Sequence, residues 1–231
     1  MIVLSLALLP SLALGQAGPV AGAAVTSKEW KVTRSPERVE EFTGDVRYRA
    51  GADDLRADWA LYKHEPDLWQ ARGRVRLAHA LSSGDVVKAS GERAAWDRKT
   101  GRGRLTSDSG VDFTRVPVDG EPDLGHAGRA EWLGQEEVTL DEGMHVWGPR
   151  LEAWSDRGVY SRGGSRLDLS GGRPVLVKRA AWEGEDEDRA WRGAVKADAI
   201  AAFERERAVS ADGHAAGWIE FAKKRTEGRS R

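Results

Sequence analysis

Apolar and polar positions alternate along much of this chain. Over residues 71–77, Ala71, Gly73, Val75 and Leu77 are small or apolar, while Arg72, Arg74 and Arg76 between them are charged. Val46 and Tyr48 likewise alternate with Asp45, Arg47 and Arg49. A period of two marks a β-strand with one buried and one wet face. Residues 125–160 hold the densest run of such segments: His126 to Trp132, then Val138, Thr139 and Leu140, then Met144 to Trp147, then Leu151 to Trp154. Asp141-Glu142-Gly143 and Gly148-Pro149 separate them and have the chemistry of turns. Gly84-Asp85 and Lys99-Thr100-Gly101 punctuate the upstream segments in the same way. The pattern predicts a meander of short antiparallel strands.

The meander repeats. Ala60-Leu61-Tyr62, Ala94-Ala95-Trp96 and Ala130-Glu131-Trp132 share the form Ala-x-aromatic at spacings of 34 and 36 residues. Ala180-Ala181-Trp182 and Ala201-Ala202-Phe203 continue it less regularly. Self-similarity at such a period marks stacked units that bury a continuous core only together. Each unit is a pair of strands, so the expected fold is all-β, an elongated and partly open β-jellyroll. Residues 117–125 are expected as a surface loop. Residues 197–207 are open to either a strand or a short helix.

Two segments resemble a known family. The order Gly125-His126-Ala127, the aromatic Trp132, the Val138-Thr139-Leu140 strand, a short apolar strand and an alternating strand closing on Val159-Tyr160 is similar to the LptA/OstA-like periplasmic lipopolysaccharide-transport proteins. So is Phe42-Thr43-Gly44-Asp45-Val46, followed by the alternating residues 55–62 with Ala57-Asp58 inside. The resemblance covers roughly residues 40–170. It implies an OstA-like jellyroll that carries lipopolysaccharide, or a related lipid, toward the outer membrane. It also implies joining end to end with other jellyroll components at the inner and outer membranes, and self-association through open sheet edges.

The apolar face is then the expected lipid groove, and Val46, Tyr48, Leu55, Val75, Leu77, Val87, Leu140, Met144, Val146 and Leu151 are its candidate lining. Exposing an acyl chain costs about 0.8 kcal/mol per methylene, roughly 10 kcal/mol for a dozen, so a carrier needs a lined route. The membrane-anchored LptC-like component of the same system, and a periplasmic carbohydrate-binding module built on the tryptophans, are the alternatives.

Composition narrows this further. The 231 residues hold 36 basic and 37 acidic side chains, a balance that argues against a nucleic-acid partner. Twenty-seven glycines and eight prolines suit a fold with many turns. With no cysteine there is no disulfide, thiol nucleophile or thiolate metal site. Residues 2–14 are apolar, broken by Pro10 and followed by small residues, which suits a secretory signal more than a membrane span of ~20 residues. No Lys or Arg precedes the run, and an uncleaved anchor is the competing reading. The expected divisions are a signal at 1–17, a lead-in at 18–29, the jellyroll at 30–173, further strands at 174–222 and a basic tail at 223–231.

No catalytic motif emerges: there is no Gly-x-Ser-x-Gly elbow and no phosphate loop. The five histidines are isolated in sequence, and His126 is expected to hydrogen-bond a neighbouring strand. The acidic run at 184–189 is contiguous, unlike the spaced ligands of a calcium loop. No enzyme activity, cofactor or metal is expected. The ten tryptophans are either core and strand-end plugs or surfaces for sugars or acyl chains.

Overall fold

The computed structural model describes residues 23–81, 83–134, 136–149, 151–180, 191–203 and 208–221. The expected leader, the acidic run and the basic tail lie outside these residues. The described residues form one antiparallel sheet of sixteen strands. Its central eight are β3 (Val39–Ala50), β4 (Asp53–Lys63), β5 (Leu68–Ala80), β6 (Val86–Asp97), β7 (Arg102–Val116), β8 (Asp123–Leu133), β9 (Glu137–Trp147) and β10 (Leu151–Ser161). β1 (Ala23–Thr26) and β2 (Glu29–Thr33) precede them. Following them are β11 (Arg166–Ser170), β12 (Val175–Ala180), β13 (Trp191–Lys196), β14 (Ala199–Phe203), β15 (Ala208–Asp212) and β16 (Ala216–Phe221).

Every central strand is bent in its middle. The register shifts between Thr43 and Val46, Arg72 and Val75, and Thr106 and Val111, and at the matching places on the other central strands. Here one strand carries extra residues against its partner, one at most corners and three in β7 between Thr106 and Val111, and the bulge turns the chain through a corner. At Gly73 (φ +75) and Gly143 (φ +86) the corner uses left-handed backbone that glycine adopts without steric cost. Asp141-Glu142-Gly143, expected as a reversal between two strands, is therefore a corner inside the single strand β9. The short segments expected from the sequence are halves of long strands. Whether a glycine reverses a chain or bends it depends on whether the following residues pair back on themselves, which the local sequence does not encode.

The corners fold the sheet into two layers. In layer A, residues 39–43 of β3 pair with 59–63 of β4, and these with 68–72 of β5. In layer B, 46–50 pair with 53–57, and these on toward 75–80. The flanking strands obey the same geometry: β2, β11, β14 and β15 lie in layer A, and β1, β12, β13 and β16 in layer B. Taken as bent pairs, the described strands make twelve rungs of one up-and-down meander. At the ~4.8 Å spacing of strands it runs about 50 Å. β13 to β16 extend the sheet beyond β11 and β12, which both pair with β10, and β1, β2, β15 and β16 are its edges among the described residues.

The alternation at 71–77 holds, with Val75 fully buried and the three arginines exposed. β8 begins at Asp123, so only residues 117–122 of the expected loop lie outside a strand. Residues 199–203 are a strand, not a helix.

Candidate functional site

The two layers face each other across the interior, with the corners at its apex and the hairpin ends at its mouth. Near the apex of layer A runs a row of directly opposed residues that includes Phe42, Ala60, Ala71, Leu105, Leu140 and Ile200. In layer B the facing row includes Tyr48, Leu55, Leu77, Phe113, Val146 and Leu176. Neither row contains a charged residue from one end to the other, because the alternation turns the arginines and carboxylates that flank these positions outward.

All ten candidate groove residues lie in this interior. Val46, Tyr48, Val75, Leu77, Val87, Leu140, Met144 and Val146 are buried, and Leu55 and Leu151 are half-buried against them. They are packed against protein, not ranged along an open trough. The reason is at the mouth of layer A, where Tyr62, Trp69, Trp96, Trp132 and Tyr160 stand in one row toward the hairpin ends. Trp69 stacks on Phe42 and Tyr62, with ring centroids 6.0 and 4.8 Å apart, and meets Tyr48 of layer B at 5.2 Å. The aromatic row closes the interior laterally.

Two glycines make this packing possible. Gly103 lies opposite Trp132, and Gly125 opposite Phe113. A Cβ on Gly103 would lie 1.8 Å from the Trp132 ring, and one on Gly125 would lie 1.9 Å from the Phe113 ring. Each ring lies over the bare backbone of its neighbour, the cross-strand pairing of an aromatic with a glycine.

Between the layers a cleft of about 40 Å³ remains, lined among others by Tyr48, Leu55, Trp69, Leu77, Trp96 and Trp132. That is room for about three water-sized groups, so occupation by an acyl chain requires the mouth to part. Its lining is almost wholly apolar. Three polar atoms of these side chains, Tyr48 Oη, Trp96 Nε1 and Trp132 Nε1, are buried without a hydrogen-bond partner. Burial pushes the Tyr48 phenol up to about 12.

Charge reaches the interior toward the hairpin ends: in layer A at Glu40, opposite Tyr62, and at Asp67, which accepts from Tyr62 and pairs with Arg98, and in layer B at two further pairs. His79 Nδ1 meets Asp53 Oδ1 at 2.5 Å, and both are nearly enclosed. Arg115 donates to Asp85 at 2.6 Å, and Val118 N–H donates to the other Asp85 oxygen at 3.1 Å. The Arg115 hydrogen bond, with the backbone N–H and the guanidinium charge, holds the Asp85 carboxyl below the usual carboxylate range. Asp85, which the sequence shows only as a turn residue, is the anchor of the loop between β7 and β8.

The histidines do not gather into a site. Each of the five meets a single carboxylate: His64 Glu40, His79 Asp53, His126 Asp112, His145 Glu152 and His214 Asp198. The bond expected for His126 runs to β7, its neighbouring strand, at 2.8 Å. Glu40 and Glu41, adjacent in sequence, serve as acceptors: Glu41 takes the Trp59 indole N–H at 2.6 Å. No three His, Asp or Glu side chains among the described residues come together as metal ligands.

The aromatic row is what sequence reasoning placed least well, although its signal was present. The Ala-x-aromatic repeat puts Tyr62, Trp96 and Trp132 on equivalent positions of β4, β6 and β8, with the alanine of each in the apex row. The repeat then slips. In β14, Ala202 takes the aromatic's place opposite Leu167, and Phe203 turns outward under the Arg166 guanidinium, 5.2 Å from its centre.

Comparison with solved structures finds a likeness to LptH, described as the LptA homologous periplasmic component of the conserved lipopolysaccharide transport device from Pseudomonas aeruginosa. The two share 14% identity over 52% of this chain and 81% of that one, with a TM-score of 0.45. No family model matches the chain, and no curated protein sequence does.

Proposed function

We propose that this protein is a non-catalytic periplasmic carrier of lipopolysaccharide or a related acylated lipid, exported through its N-terminal apolar run. It holds the acyl chains between the two layers of the jellyroll and leaves the headgroup at the wet mouth. The observation that carries the reading is the uninterrupted apolar interior, which runs through the rungs from Phe42 to Ile200 and from Tyr48 to Leu176. The sequence resemblance at residues 40–170 supplies the lipid class. Unpaired backbone groups at the terminal strands are templates for strand addition, and a carrier of this length needs partners on both sides to bridge two membranes. Exposed apolar side chains sit on those strands: Trp30 and Val32 on β2, Val209 on β15, Trp218 and Ile219 on β16.

The test is lipid capture, face by face. A photo-crosslinking residue at Leu77, which lines the cleft, is expected to trap lipid in cells, and the same residue at the outward Arg76 is expected to trap little. Mass spectrometry of the adduct identifies the lipid. No adduct at Leu77, or equal labelling at both positions, would overturn the reading, the first because the interior stays shut and the second because the contact is non-specific.

A further inference from the structure

The mouth holds three hydrogen-bond donors and nothing to receive them. Tyr48 Oη comes from β3 in layer B, and the indole nitrogens of Trp96 and Trp132 come from β6 and β8 in layer A. All three side chains line one cleft. An indole N–H can only donate. The Tyr48 phenol, raised by burial, keeps its proton across the physiological range and donates too. The carboxylates that border the cleft are already engaged, Asp53 with His79 and Asp54 with Arg47 and Arg56. Trp96 and Trp132 flank Gly103 in their row, which brings two indoles to neighbouring places. A buried donor left without an acceptor is costly, so the closed mouth is poised to accept a ligand that brings acceptor oxygens and little else that is polar.

We propose that Tyr48, Trp96 and Trp132 form a selectivity site for the carbonyl oxygen of an ester- or amide-linked acyl chain. The hydrocarbon lies along Leu55 and Leu77, and the carbonyl at its head accepts from the three donors as the layers part. The inference rests on the carrier reading and sharpens it: the mouth distinguishes an acyl linkage from an ether linkage of the same chain length. The three donors are themselves neutral, and the Arg98 guanidinium whose charge reaches the Tyr48 phenol is balanced by Asp67 at 3.3 Å, which suits a neutral carbonyl better than a free carboxylate.

The experiment compares three probes on the full chain by displacement of a bound hydrophobic dye: dipalmitoyl phosphatidylethanolamine, its dihexadecyl ether counterpart, and palmitate. Indole N–H resonances, assigned with Trp96→Phe and Trp132→Phe, supply the spectroscopic readout. The diacyl lipid is expected to bind more tightly than the diether and to shift both indole N–H signals downfield, while the diether leaves them in place. Tyr48→Phe removes only the hydroxyl. It is expected to raise the melting temperature of the empty protein while lowering diacyl affinity about fivefold, the worth of one net hydrogen bond, with diether affinity unchanged. Equal binding of diacyl and diether, with Tyr48→Phe altering neither, would overturn the selectivity site and leave the carrier reading standing. Failure of both lipids to bind would overturn both. Palmitate binding more tightly than the diacyl lipid would assign the donors to a carboxylate and overturn the acyl linkage.

Discussion

Gly103→Ala adds one methyl group and removes the seat of a tryptophan. The new carbon would stand 1.8 Å from Cε2 and Cζ2 of Trp132 and 2.3 Å from its Nε1. Because Gly103 and Trp132 are directly opposed in register, neither backbone can retreat without breaking the β7–β8 ladder, so the ring must leave. Trp132 is 6% exposed, so most of its burial is forfeited. Complete loss of a buried tryptophan costs about 3–5 kcal/mol. Partial reburial reduces that, and alanine recovers about 0.5–1 kcal/mol over glycine within a strand. The net expectation is about 2–4 kcal/mol, or roughly 4–16 °C in Tm for a chain of this length. Urea melts followed by far-ultraviolet circular dichroism measure it. Gly164→Ala, whose added carbon would come no nearer than 3.7 Å to any neighbour, is the control and should stay within about 0.5 kcal/mol. In a Trp132→Ala background the Gly103→Ala change should become harmless, giving a coupling as large as the single-variant cost, about 2–4 kcal/mol. A single Gly103→Ala variant as stable as the Gly164→Ala control would refute the seated ring and with it the closed mouth.

Asp85→Asn should cost about 2–3 kcal/mol at neutral pH, because it removes the charged acceptor of Arg115. The Asp85 carboxyl is held low in the folded protein, so its stabilisation is in place above the unfolded carboxylate range, near pH 4, and is lost as pH falls through the lowered folded value. Wild-type and Asp85→Asn melts should therefore converge in acid, and a gap that persists there would refute the assignment. Gly73→Val should destabilise by about 2 kcal/mol or more, since its φ of +75 is strained for a branched residue and its Cβ would meet Asp58 Oδ2 at 2.6 Å; equal stability in denaturant melts would contradict the corner geometry. Sedimentation at rising concentration should show a ladder of linear species that Ile219→Pro on β16 shortens, and a strict monomer with no binding to other jellyrolls would count against edge pairing.

What the amino-acid sequence settled was the content of each local segment. Alternation has a period of two, and a strand turns successive side chains to opposite faces, so the inward positions of Val46, Val75, Leu77 and Val146 follow from their neighbours alone. A repeat of 34 to 36 residues gave the two-strand unit for the same reason, being the length of one hairpin with its turns. His126 could be placed against a neighbouring strand because it stands in the Gly125-His126-Ala127 segment at the start of a strand, within cross-strand reach of its neighbour. Other features depended on residues far apart in the chain. Whether Asp141-Glu142-Gly143 reverses the chain or bends it is decided by the strands on either side, which run past the corner in both layers and hold β9 to a single path. Trp69, Trp96 and Trp132 become the closure of the mouth only because Tyr48 and Leu77 of the other layer come up against them when the corners fold the sheet, and Gly103 matters only because Trp132 arrives opposite it. Spacing along a chain fixes which face a side chain takes; what it meets there is fixed by the second layer, and only the folded sheet brings that layer into place.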